Sequence, residues 1–198
     1  MINKIENWDK VEANYGEFKR LSAGGYICKV MACKQETSKS SGKKMLVVNF
    51  DIAEGDFKDF YLERYKNAPR DNNNPVEPKW SGKYYIVLEG DGYEGRLKAF
   101  TTSLEESNPN YIWDWNEETL QGKLFGGIFR EEEFVYNGEI RTNAKLWQVR
   151  STKAIREGNF EIPKKKEISD DERERIEEQS NAPFNNYNAP LTEDDLPF

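Results

Sequence analysis

The chain has 198 residues and a formal net charge of −7, from 29 Lys and Arg against 36 Asp and Glu, with no His and two Cys. That length accommodates one domain plus an extension, and two cysteines without a histidine exclude a zinc centre of the usual four ligands. The acidity sits at one end: from Glu167 to Phe198 ten acids oppose two bases, a net of −8 that leaves +1 on the first 166 residues, so the low overall pI does not argue against a nucleic-acid-binding body.

Residues 1–24 carry Trp8, Tyr15 and Phe18 among charged residues and read as a lead-in packed on the domain. No apolar run follows Met1, and no later stretch approaches a membrane span; a soluble, cytoplasmic protein is expected. From Gly25 the pattern becomes β, with Tyr26, Cys28, Val30 and Ala32 alternating against Ile27, Lys29, Met31 and Cys33. Cys28 and Cys33, five apart, point to opposite faces of that strand and cannot bridge. After a Ser/Gly turn, Lys44 to Ala53 places Leu46, Val48, Phe50 and Ile52 on one face. A third strand is expected over Phe57 to Tyr65, which would complete a meander.

Asn67 to Gly82, with Pro69, Pro75 and Pro78, reads as a long loop ending near Trp80. Lys83 to Leu88 is a short β-like run. Leu97, Phe100 and Leu104 space a helix that stops before Asn108-Pro109. Tyr111 to Trp115 is apolar and aromatic, and Asn116-Glu117-Glu118 reads as the capped, acidic first turn of a short helix closed by Gly122. Lys123 to Tyr136 and Glu139 to Ser151 form a hairpin around Asn137-Gly138, a dipeptide suited to a type I′ turn. In its second arm Ala144 and Leu146 oppose Lys145, Trp147 and Val149, and the pattern leaves open which face is buried. Beyond the body, residues 158–198 bury too little apolar surface to offset their ordering entropy, so a disordered acidic tail is expected.

About five strands with an inserted helix give a mainly β fold, a five-stranded OB-fold barrel over residues 25–157; a larger β-sandwich is the competing architecture. Single-stranded nucleic acid is held by aromatic stacking beside a basic track. The candidate contacts are Tyr61, Arg64 and Tyr65, then Trp80, Lys83, Tyr84 and Tyr85, then Arg141, Lys145, Trp147 and Arg150. Lys34, Lys39, Lys43 and Lys44 flank the first hairpin. Catalysis finds little support: Asp71 with Glu77-Pro78-Lys79 is a loose nuclease-like set, and no phosphate loop, His-based pair or activated nucleophile is present. The expectation is a protein without enzyme activity, metal or cofactor.

The last residues form a compact ligand, Asp194-Asp195-Leu196-Pro197-Phe198, with clustered carboxylates beside a terminal ring. A pocket with an apolar floor and a cationic rim would hold it, and Pro197 lowers the entropy lost on docking. This segment resembles the acidic tip of bacterial single-stranded DNA-binding proteins, and the resemblance implies recruitment of replication, repair and recombination enzymes through Asp194 to Phe198. The body is similar in organisation to small phage-encoded OB-fold proteins, through Ser41-Gly42-Lys43-Lys44, Leu120-Gln121-Gly122-Lys123-Leu124-Phe125 and Tyr136-Asn137-Gly138. It departs from the bacterial proteins in its long Asn/Pro loop, its helix-plus-tryptophan insertion and a tail with little Gly or Gln. These resemblances imply a phage protein that coats single-stranded DNA during replication or recombination in the host cytoplasm and recruits host or phage partners. The alternative is an adaptor without a DNA groove that docks onto replication proteins through the tip. The sequence does not specify an oligomeric state.

Overall fold

A computed structural model describes Trp8 and residues 19–68 and 77–181. Five strands form one antiparallel sheet: β1 (Gly24–Thr37), β2 (Lys44–Ile52), β3 (Lys83–Val87), β4 (Leu124–Tyr136) and β5 (Glu139–Arg150), in the order β3-β2-β1-β4-β5. The helix α2 (Tyr93–Ser107) is inserted between β3 and β4. The expected mainly β, five-stranded architecture with an inserted helix is therefore present. Its sheet is open, because β3 and β5 each end the order and do not pair with one another.

β1 holds the two halves of the sheet together. Its first part, Gly24 to Lys29, pairs with β4, and its later part, Cys28 to Thr37, pairs with β2. The change of partner is accompanied by a bulge: Val30 lies opposite Phe50 and Ala32 opposite Asn49, leaving Met31 as the extra residue. Such a residue bends a strand and increases its twist, so β1 serves both halves without a break. At the far end, Asn137 (φ 52°) and Gly138 (φ 76°) make the β4–β5 turn with two positive φ values, as the dipeptide predicted.

The core is aromatic. Phe50, Phe100, Phe125 and Phe129 are fully buried, and Phe50 meets Phe125 and Phe129 edge to face at 5.9 and 6.0 Å between centroids. Burying each such ring contributes roughly 1.5–3 kcal/mol. From α2, Phe100 and Leu104 enter this core, so the predicted helical stripe is the buried one.

Two expectations are corrected. The strand expected over Phe57 to Tyr65 is instead a turn followed by α1 (Phe60–Lys66). The cause is Asp51, whose buried carboxylate accepts hydrogen bonds from the amides of Tyr61 (2.9 Å) and Leu62 (2.9 Å) as well as from Ile52 (2.8 Å). A carboxylate satisfying the free amides of a first helical turn favours helix over strand, and the third strand falls to Lys83–Val87. The second correction concerns the tail, which leaves the body later than residue 158. After α3 (Thr152–Arg156), the Phe160 ring occupies the space beside Gly25, where an added Cβ would lie 2.4 Å from it. Lys166 then bridges to Glu132 of β4, and α4 (Asp170–Asn181) follows. The Ser169 hydroxyl accepts from the amide of Glu172 at 3.3 Å, capping that helix. The expected tip, Asp194 to Phe198, lies outside the described residues.

Candidate nucleic-acid interface

The open seam of the sheet is a broad cleft of about 1710 Å³ between the Lys79–Tyr85 segment, α2, α1 and β5. Its lining is strongly biased in charge. Lys19, Arg20, Arg64, Lys79, Lys83 and Arg96 contribute cations, as do Arg141, Lys145 and Arg150 of β5, against Glu139 as the one lining carboxylate among the described residues. All nine cations are exposed. Arg141 pairs with Glu139 at 2.9 Å and Lys145 with Glu132 at 3.3 Å, whereas Arg20, Lys79, Lys83 and Arg96 form no salt bridge among the described residues. On a chain of net charge −7, such clustering focuses positive potential where low-dielectric walls confine it.

Aromatic rings lie between these cations. Trp147, on β5, is 43% exposed and is the extra residue of a second bulge: Ile128 faces Gln148 and Phe129 faces Leu146, so Trp147 has no partner in the register. The bulge also resolves the alternation left open by the sequence. It shifts the parity of β5, so that Val149 joins Ala144 and Leu146 against the core while Trp147 is turned out. The Arg130 guanidinium sits 3.6 Å from the centre of one face of the Trp147 ring, a stacked cation–π contact. On β3, Tyr85 is exposed and Tyr84 half-buried, its ring 6.0 Å from that of Phe100. Burial raises the Tyr84 hydroxyl pKa, with Arg96 acting in the opposite sense.

Trp80 is fixed at the base of the cleft. Its indole N–H donates to the carbonyls of Phe50 (3.1 Å) and Gly82 (3.0 Å). Gly82 permits this close approach, because an added Cβ would lie 2.3 Å from the Phe50 carbonyl oxygen. Tyr65 is tilted against Trp80 at 5.9 Å from outside the cleft lining.

The cleft thus gathers Tyr61, Arg64, Trp80, Tyr84, Arg141, Lys145, Trp147 and Arg150 from the sequence-derived set. Tyr61 is there as floor rather than platform. It is buried, edge-on to Phe50 at 5.3 Å and Phe60 at 5.1 Å, with its hydroxyl pKa pushed up by burial. Its stacking role on an exposed strand is corrected by the helix that carries it inward. Lys34, Lys43 and Lys44 do not line the cleft; they are exposed around the β1–β2 loop, where Lys34 pairs with Glu36. Lys19, Arg20 and Arg96 were missed. The first two lie in a stretch read as lead-in, but Arg96 and Ala99 sit one turn apart on α2, off the stripe of Leu97, Phe100 and Leu104, and that solvent face could have been read as a lining.

A second aromatic surface lies elsewhere. Between α2 and the 3-10 turn Glu117–Leu120, Ile112 and Trp115 are 79% and 78% exposed. None of this loop lines the cleft. It is tied internally: Glu105 accepts from the Trp113 amide (3.0 Å), Asp114 from the Asn116 amide (3.1 Å), and Asn116 from the Glu118 amide (3.1 Å). Trp115 is held at φ 66°, an uncommon conformation for a bulky residue.

Among the described residues no cluster of three or more Cys, Asp or Glu could hold a metal ion, and no helix is long and apolar enough to cross a membrane. No protein-family model and no curated protein matches the chain. Among solved structures, it is similar to a chain of "Yeast RPA bound to ssDNA", at 14% sequence identity and a TM-score of 0.24, covering 91% of this chain and 97% of that one.

Proposed function

We propose that this chain binds single-stranded DNA in the cleft between β3 and β5, without strong sequence preference, as a non-enzymatic coating protein in replication or recombination. The observation that carries the reading is the charge segregation: among the described residues, nine exposed cations and one carboxylate line a cleft in a protein with more acids than bases. Trp147, Tyr85 and Trp80 offer rings beside that track, the combination that holds a flexible polyanion with unstacked bases. In this reading Asp194 to Phe198 recruits host or phage replication proteins, and the protein acts in the cytoplasm of a bacterial host.

The adaptor reading has one observation in its favour, the exposed Ile112 and Trp115 on a loop carrying Asp114, Glu117 and Glu118. Acidic surroundings of this kind repel a phosphate backbone and suit a protein partner.

Titration of intrinsic Trp fluorescence with oligo-dT at two salt concentrations, with duplex of equal length as control, separates the readings. Quenching by oligo-dT alone, weakening as salt rises, is the expected result. An unchanged spectrum from a folded protein would remove the DNA reading and leave the adaptor.

A further inference from the structure

Beyond Phe129, β4 outruns β1, whose pairing with it ends at Gly24 opposite Phe129. Residues 130–136 of β4 and 139–145 of β5 therefore continue as a two-stranded arm, and an isolated two-stranded ribbon is marginal in water. This arm carries Lys145 and Arg141, and Trp147 lies at its root, so its position sets one wall of the cleft.

The ribbon's two faces hold different groups, as alternation requires. On one, Arg130 lies against Trp147 and pairs with Glu132, whose other oxygen reaches Lys145 at 3.3 Å. The Arg130 Nε–H is buried without an acceptor among the described residues, so the guanidinium is held by its ring contact and by Glu132. On the other face, Glu133 is gripped by the segment following α3: Lys165 at 2.7 Å, Arg173 at 2.8 Å and the Ile168 amide at 3.3 Å. The backbone joins in, with the Glu133 amide donating to Lys166 at 2.8 Å and the Lys166 amide donating to Glu131 at 2.8 Å. This strap supplies the edge pairing that β1 no longer provides, and it does so on the residues that flank Glu132.

We propose that Arg130 and Glu132 are positioning residues for Trp147, and that the strap of residues 165–173, anchored at Glu133, holds them in place. The proposal rests on the single-strand reading of the cleft. The grip on a stacked base then depends on a segment that lines no part of the cleft and that leads directly into the acidic tail.

The test compares affinities for oligo-dT and for an abasic oligomer of the same length, which keeps the phosphates and lacks the bases, using full-length Glu133→Gln, Lys165→Gln/Arg173→Gln and Arg130→Lys. The last keeps its charge but loses the planar stack on the ring. Each variant is expected to lose roughly fivefold or more in oligo-dT affinity, part of the effect of one stacked base, with abasic affinity within about twofold of the parent and the Trp quench reduced. Restoring Arg173 in the double variant should recover part of the loss. Unchanged oligo-dT affinity in the strap variants overturns the proposal, and so does an equal loss on both oligomers, which marks a general loss of the groove. Because Lys165 and Arg173 lie outside the core, their variants keep the test open if Glu133→Gln fails to fold. If the parent chain itself ignores oligo-dT, the cleft reading fails first and the inference falls with it, before any variant is made.

Discussion

Two aromatic surfaces of this molecule differ in what surrounds the rings. In the cleft, Trp147, Tyr85 and Trp80 lie, among the described residues, with nine cations and one carboxylate. In the loop after α2, Ile112 and Trp115 are more exposed, but their neighbours in the chain are Asp114, Glu117 and Glu118. Exposure of apolar rings alone does not identify a nucleic-acid surface, since the more exposed of the two is the one whose charges oppose a polyanion. The ring supplies a stacking face; the charge decides what approaches it.

The two surfaces should part most clearly at their tryptophans. Trp147→Ala should weaken oligo-dT binding about tenfold or more, within the ~1–3 kcal/mol contributed by a stacked base, while Trp115→Ala should stay within about twofold. Equal losses in a fluorescence-anisotropy titration would erase the distinction. Charge should separate them next. Arg141→Gln with Lys145→Gln should lower the slope of log affinity against log salt by about 1 to 2, one for each phosphate no longer neutralised, and Glu117→Gln with Glu118→Gln should leave the slope unchanged.

A pH effect follows from the strap. The hydrogen bond from Lys165 holds the Glu133 carboxyl below its ordinary value of 4.5, and Lys165 is correspondingly raised. A depressed carboxylate contributes stability above its unfolded value and loses it as pH falls through the folded one. Hydrogen exchange at the Glu133 and Lys166 amides should therefore accelerate below pH 4.5 relative to the core strands; equal acceleration everywhere would tie the effect to global unfolding. The last contrast is a thiol on the acidic side. Burial, and then the charge of Glu117, pushes the Cys33 thiol up to about 12, so alkylation at pH 8 followed by mass spectrometry should run roughly tenfold or more slower than for an unperturbed thiol. Glu117→Gln should speed it slightly; labelling at the rate of a free cysteine would contradict the assigned burial.

Much of the architecture was legible because local pattern and global fold agree at β1, β2, α2 and the Asn137-Gly138 hairpin. The failures have physical causes. Phe57 to Tyr65 alternates well enough to pass for a strand, yet the groups that decide it are the oxygens of Asp51, whose grip on the amides of residues 61 and 62 no local window reveals. Lys164-Lys165-Lys166 falls within the expected tail because its side chains are charged, while the decisive bonds are made by the Lys166 backbone. In the site, pairing rings with adjacent cations found the β5 cluster and Trp80. It missed Lys19 and Arg20, which reach the cleft only through tertiary folding, and Arg96, whose place on the solvent face of α2 was legible in the helical spacing. The bulge at Trp147 is likewise invisible as composition, since it is a mismatch between two strands rather than a property of either.

Among the described residues the outer edges of β3 and β5 are unpaired, which leaves the open sheet with a seam along its side. A closed ring must be threaded onto a polymer from an end, whereas a body with a lateral opening admits the polymer sideways. Under the proposed function, a strand flanked by duplex on both sides, or closed into a circle, is as accessible as one with a free terminus. Release likewise needs no sliding to an end, so a bound copy can be lifted from the middle of a covered tract while its neighbours stay in place.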